Sequence, residues 1–570
     1  MRPLLIVALS LILGISASAQ SSSLKAQGDA VQLEVDGRPF LVLGGELGNS
    51  SAACPQDIEE NFAKLRRMGL NTVLVPAYWD LLEPVEGQFD FSLTDKVLEE
   101  ARRNDLKVIF LWFGAWKNSM SCYAPLWFKA DYKKYPRAYT REGKPLEIAS
   151  AFSENVFQAD NKAFTTWLRH IAEADRDFGT VIMIQIENEI GMLEDARDHS
   201  RTAERLFRSE VPSELMDYLC ANRAELHPYM SGKWEENGAK TVGSWENVFG
   251  EGIYTDEIFM AWHYASYVER MARSAREIYD VPLFVNAAMN SRGRRPGEYP
   301  SAGPLAHLID VWHCAAPSVD FIAPDLYDDG FKGWTAQYHL HNNPLFIPEI
   351  RHTQNNGVRA FYVFGEHNAL GFSPFAIEDG SDEQGTPFVE GYEKLREIMP
   401  LVTGWQGKDE KWGLLFDQSD KERTIEDGSL VLTCRHNFTL PWDPRATDGS
   451  VWPEGGGIII RIAENEYIVA GNGIVVEFAT ASEKAFGKAA ESLGEDGFAS
   501  AGSKGTGTPA RKAWKGTRCG IGSVDEVKVN ADGSFSYIRR LNGDQDHQGR
   551  HVRISVGDYK TLYVRLYEYQ

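Results

Sequence analysis

Two short apolar runs in this chain each end in a carboxylate. The first is Val181-Ile182-Met183-Ile184-Gln185-Ile186-Glu187-Asn188-Glu189-Ile190-Gly191, in which five of the first six residues are aliphatic or Met. The second is Asn343-Pro344-Leu345-Phe346-Ile347-Pro348-Glu349-Ile350-Arg351. Runs this short and this apolar read as strands buried on both faces, whose polar C-terminal ends carry chemistry. A single Asn-Glu after a strand is as readily half of an ion pair in a polar loop. Two such carboxylates facing one pocket can divide the work of a proton donor and a nucleophile, the division that cleavage of a glycosidic bond requires.

Their positions follow from the elements around them. Strand-like runs at 41–46, 71–76 and 106–112 precede the first, runs at 281–287 and 321–325 lie between the two, and 360–364 follows the second. Amphipathic helical patterns at 55–68, 95–104, 162–176, 256–279 and 389–400 separate them, the first with Ile58, Phe62, Leu65 and Met68 on one face. This alternation predicts a (β/α)₈ TIM barrel over 20–404, with Glu189 ending the fourth strand and Glu349 on the seventh. Loops at the C-terminal face of such a barrel build its active site. Glu366, after the run at 360–364, is a competing carboxylate, but a nucleophile on the eighth strand would break the pairing of strands four and seven. From about Trp405 the texture changes to short alternating runs between Gly, Asp and Asn, which predicts a β-sandwich over 405–570, with a surface loop at 500–508.

The run Gln185-Ile186-Glu187-Asn188-Glu189-Ile190-Gly191 resembles the Gln-x-Glu-Asn-Glu-x-Gly signature of family 35 β-galactosidases, within the large clan of retaining (β/α)₈ glycoside hydrolases. Trp79-Asp80-Leu81-Leu82-Glu83-Pro84-Val85-Glu86-Gly87-Gln88-Phe89-Asp90-Phe91 is similar to a pattern that families 35 and 42 of that clan share. The resemblance implies Glu189 as acid/base, Glu349 as nucleophile, and an exo-acting, retaining β-galactosidase. The alternatives are a family 42-like or cellulase-like enzyme of the same clan, or a silent sugar-binding protein. Tyr327, at the end of the sixth strand, is placed to orient Glu349, and Asn188 and Glu46 to meet substrate. In family 35 an acidic residue near the third loop commonly holds galactose hydroxyls; this chain has Lys117 and Asn118 there. Trp112, Trp116 and Trp127 lie close together around that loop and are read as a sugar-stacking platform, with rim packing as the competing reading. Glu83 reads as scaffolding or as a substrate contact.

Composition limits the partners. A net charge of −22 over 570 residues disfavours nucleic acid and anionic membrane surfaces and suits a neutral carbohydrate. Met1-Arg2, the apolar run 4–15 and Ala17-Ser18-Ala19 form a secretory leader with cleavage expected after Ala19, so export to the periplasm or the medium is expected. The 6 cysteines are scattered without a Cys-x-x-Cys, and no cofactor fingerprint or metal-ligand spacing is legible; Cys434 and Cys519 are a conceivable disulfide pair. His339-Leu340-His341 lacks a third ligand, and Asp325, Asp328 and Asp329 read as a polar loop.

Overall fold

The computed structural model describes residues 22–290, 293–340, 342–380, 384–440, 442–486, 515–543 and 549–570. The leader at 1–19 and the loop at 500–508 lie outside these residues. Eight parallel strands form one sheet: β1 (Val42–Leu43), β2 (Thr72–Tyr78), β3 (Lys107–Phe113), β4 (Val181–Gln185), β5 (Leu283–Ala288), β6 (Phe321–Leu326), β7 (Phe346–Ile350) and β8 (Gly371–Pro374). From β2 to β8 each strand neighbours the next, β1 pairs with β8, and Glu46, just past β1, bridges to Leu74 of β2 and to Phe375 past β8, which brings the two edges together. The strands are buried along almost their whole length, as both-face burial in a parallel sheet demands.

The helices that cover the barrel are α1 (Pro55–Arg67), α2 (Ser92–Arg103), α3 (Glu154–Ala174), α4 (Ile253–Arg276), α5 (Ile309–Ala315), α6 (Phe331–Tyr338), α7 (Asn356–Glu366) and α8 (Pro387–Gly404). Helix α1 shows how sequence sets them: Pro55 opens it, the Cys54 sulfur caps it by accepting from the Asp57 N–H, and Ile58, Phe62 and Leu65 line one buried face. Before β1, the strands Ala30–Val35 and Arg38–Pro39 pair through Asp36-Gly37, both left-handed, as a tight hairpin requires. Four short helices, from Arg201–Phe207 to Trp245–Phe249, fill the long connection between β4 and α4. Among the described residues no helix is long and apolar enough to cross a membrane.

The run 360–364 is not a strand. It lies inside α7, and the eighth strand is the short Gly371–Pro374, which sequence reading left inside a loop. The cause is double burial: α7 packs on the barrel with one side and on the C-terminal domain with the other, so Val358, Ala360, Phe361, Tyr362, Val363 and Phe364 are all buried and the unbroken apolar stretch 360–364 reads as a strand. Glu366 therefore ends a helix at the opposite end of the barrel from the strand C-termini. There it pairs with Arg423 at 2.6 Å.

The C-terminal region has two antiparallel sheets. One has six strands in the order Lys411–Phe416, Gly455–Ala463, Glu466–Asn472, Lys560–Tyr569, Arg518–Val529 and Phe535–Arg540; the other has four, Glu422–Asp427, Leu430–His436, Ile474–Thr480 and Val552–Ile554. Leu414, Phe416, Ile459, Tyr467 and Val469 of the larger sheet meet Leu432, Val476 and Phe478 of the smaller in a separate core. The alternate residues Leu415, Ile458, Ile460, Ile468 and Ala470 point the other way and belong to the core of the barrel. Cys434 is a buried thiol, so the suggested disulfide between it and Cys519 is not formed.

Candidate active site

The chain turns sharply after β4. Glu187 (φ 57°) and Glu189 (φ 47°) both adopt the left-handed region, as do Asn118 (φ 49°) and Ser119 (φ 71°) in the facing loop after β3. Such residues cost about 1–3 kcal/mol each and persist only where surroundings over-determine them. Here a backbone ladder does so: Asn188 N–H donates to Trp116 O (3.3 Å), Asn118 N–H to Asn188 O (3.2 Å), and Ser119 N–H to Glu189 O (3.2 Å). Asn286 on β5 completes the fixture by accepting from the Glu189 N–H at 2.9 Å. Beneath it, Glu187 accepts from the Trp116 N–H at 2.8 Å, and Asp160 of α3 accepts from the Trp112 indole at 3.0 Å and the Tyr267 hydroxyl at 2.8 Å. Burial and the Asp160 charge hold Glu187 well above the usual carboxylate range, and burial also raises Asp160, so this pair retains a proton.

Above that foundation the strand ends deliver four carboxyl groups to one buried basin: Glu46 (β1), Glu189 (β4), Asp325 (β6) and Glu349 (β7), none more than 5% exposed. Burial first, and then the charge of Glu349, pushes Glu189 up to about 7, with Lys117 and Asp325 opposing. Glu46 and Asp325 are driven well above the usual range by burial and by the Glu349 charge. The counter-charge is Lys117, only 3% exposed. Burial works against its charge, but the fields of Glu349, Glu189, Glu46 and Asp325 outweigh burial and hold it protonated.

The hydrogen bonds are unevenly spread. The Tyr327 hydroxyl donates to Glu349 Oε1, the Asn118 amide donates to Glu189 Oε2, and the Asn286 amide donates to Asp325 Oδ2 at 2.7 Å. Glu349 Oε2, Asp325 Oδ1, both oxygens of Glu46 and both amide atoms of Asn188 are buried and meet no hydrogen-bond donor or acceptor in good geometry among the described residues. Buried polar groups are rarely left so, and their concentration in one basin matches a ligand rich in hydroxyls.

Of the residues singled out in the sequence, Glu189, Glu349, Asn188, Tyr327, Asn118 and Glu46 converge here. Trp116 does not serve as a stacking platform: its ring is fully buried, edge-on to Tyr264 and Tyr267 with centroids 5.6 and 4.8 Å away. Trp112 is equally enclosed, and Trp127 donates to the Glu83 carbonyl at 2.9 Å, so the three tryptophans are packing. Glu83 is scaffolding, accepting from the Trp79 indole at 2.9 Å and from the Gly87 N–H at 2.7 Å. Sequence reading gave no site role to Asn286 or Asp325, although each is a polar residue near the C-terminal end of an apolar strand, the same signal that marked Glu189. It read Lys117 only as a departure from a pattern.

The fold is thus an eight-stranded parallel barrel whose fourth and seventh strands bring carboxyl groups to one basin. Residues 51–224 match the family model of glycoside hydrolase family 42, described as beta-galactosidase. The assignment to family 35 is thereby corrected: the match is to family 42, and Gln185–Gly191 is a pattern compatible with the wider clan. Residues 388–553 match a domain of unknown function, DUF5597. A beta-galactosidase of Xanthomonas manihotis is 29% identical over 210 residues, 35% of this chain and 32% of that protein, so the chain matches about a third of its relative. Among solved structures, the beta-galactosidase of the psychrophilic Marinomonas ef1 has a TM-score of 0.44 at 15% identity, covering 65% of this chain and 61% of that one. A beta-mannanase from the blue mussel Mytilus edulis has a TM-score of 0.38 at 13% identity, covering 67% and 97%.

Proposed function

We propose that the protein is an exported, retaining, exo-acting β-galactosidase. The observation that carries this reading is the shared basin of Glu189 and Glu349, in which one carboxyl keeps a proton close to neutrality while Tyr327 fixes the other by one oxygen. Glu349 Oε2, the oxygen that Tyr327 leaves free, attacks the anomeric carbon as Glu189 passes its proton to the departing glycosidic oxygen. A galactosyl ester on Glu349 results. Glu189, now a carboxylate, takes a proton from the incoming water, and the two inversions sum to retention. In this reading Glu46 and the Asn188 amide, whose buried polar atoms face the basin, hold sugar hydroxyls. The galactose preference and the exo mode rest on the likeness to β-galactosidases.

A panel of nitrophenyl glycosides tests the sugar, and proton NMR of the first-formed product tests the stereochemistry. Turnover of the β-galactoside with initial release of the β-anomer is expected. Preference for another sugar by tenfold or more refutes the specificity, and an α-anomer refutes the mechanism.

The pH dependence follows from the general acid. Glu189 must hold its proton in the free enzyme, so kcat/KM is expected to fall as pH rises through about 7. Lys117 opposes that protonation, and Lys117→Met removes a positive charge, so the alkaline limb should move to higher pH in the variant even as activity drops. A limb that stays put or moves down separates Lys117 from Glu189.

A further inference from the structure

A second site adjoins the basin. A cleft of about 890 Å³ runs between the barrel and the C-terminal sandwich, beginning at Tyr327. One wall is the loop after β6 with the start of α6, and the other is the turn after Lys411–Phe416, around Asp417 and Ser419. Tyr327 belongs to both places: its hydroxyl bonds to Glu349, while 37% of the residue is exposed at the mouth of the cleft.

The lining fits a neutral, hydroxyl-rich ligand. Its cations are engaged locally: Lys332 pairs with Asp420 at 2.6 Å, Arg359 forms a two-pronged pair with Glu454 at 2.6 and 2.7 Å, and Arg351 donates to the Tyr327 carbonyl at 3.1 Å. Asp328, Asp329 and Asp417 add further carboxylates, so the wall offers many hydrogen bonds and disfavours an anionic ligand. We propose that this cleft holds the sugar units on the leaving-group side of a neutral glycan, so that the C-terminal sandwich forms half of the substrate site. The inference rests on the glycosidase reading: the terminal sugar occupies the buried basin, and the remainder of the chain leaves past Tyr327.

Gly333 makes this testable. It sits in α6 on the cleft wall, and a Cβ added there meets nothing within 4 Å, so Gly333→Trp can bring a large ring to that wall from an open position. Ser419→Trp, exposed on the opposite wall, fills it from the sandwich. Steady-state kinetics are compared on the nitrophenyl glycoside the panel selects and on a neutral tetrasaccharide ending in the same sugar, with Gly333→Ala as control. Both Trp variants are expected to lower kcat/KM for the tetrasaccharide at least tenfold, through KM, and to leave the aryl glycoside within twofold. Unchanged tetrasaccharide kinetics, or equal losses on both substrates, overturn the proposal. Should no aryl glycoside be cleaved, the proposed activity falls, and calorimetry with the same tetrasaccharide still decides the cleft: binding that Gly333→Trp removes supports it, and no binding to the wild type overturns it.

Discussion

Glu349→Gln is expected to lower kcat by on the order of 10⁴-fold or more on every substrate, because the amide cannot form the glycosyl ester. Glu189→Gln should behave differently. With a nitrophenyl leaving group, which departs without protonation, the first step survives and the second stalls for want of a base. Added azide should then restore turnover and give a β-glycosyl azide, since the small anion attacks without needing deprotonation. The product is read directly by NMR. A β-glycosyl azide from the Glu349 variant instead would reverse the two roles.

The second large effect concerns the C-terminal sandwich. A chain ending near Leu401 is expected to be insoluble or inactive, and the intact protein to unfold in one calorimetric transition. The reason is the six-stranded sheet, which buries residues on both faces: Leu415, Ile458, Ile460 and Ile468 complete the barrel core, each worth roughly 1.5–3 kcal/mol of burial. Lys411, itself buried, donates to the carbonyls of Phe364 and Gly365 at 2.5 and 2.9 Å and so closes the C-terminal end of α7. Tyr559 of the sandwich lies against Gly357 of α7 and Gly391 of α8, where an added Cβ would fall 2.4 and 3.1 Å from its hydroxyl. Removing the sandwich exposes that surface and unties α7. A soluble truncated barrel with full activity, or two separated transitions, would show the domains to be independent.

The sequence was most legible where one element meets one environment. Strands β2 to β7 are buried on both faces and read as apolar runs, α1 shows a single apolar face, and Glu189 and Glu349 stand out because an ionisable group ending such a run is conspicuous. Legibility failed where two environments meet. α7 is enclosed by barrel and sandwich, so its apolar residues run unbroken through 360–364 as in a short buried strand, and β8 is four residues of Gly-Phe-Ser-Pro whose place is fixed by its neighbours. In the basin, Lys117 was visible only as a departure, because its significance lies in four carboxyl groups drawn from four strands far apart in the chain. Trp116 failed for the opposite reason: a large ring beside a site loop is equally suited to packing, and Tyr264 and Tyr267 of α4 enclose it.

The ladder between the β3 loop and the β4 turn has a consequence for how such a site changes over generations. Most of its rungs are main-chain groups, so the acid is placed by the path of the backbone at 116–119, while the Lys117 side chain is left to face the basin. A substitution at position 117 can therefore change the charge that faces Glu189 without moving the main chain that positions it. Placement of that carboxyl and the field acting on it are separable in this barrel because they are written in different parts of the same four residues.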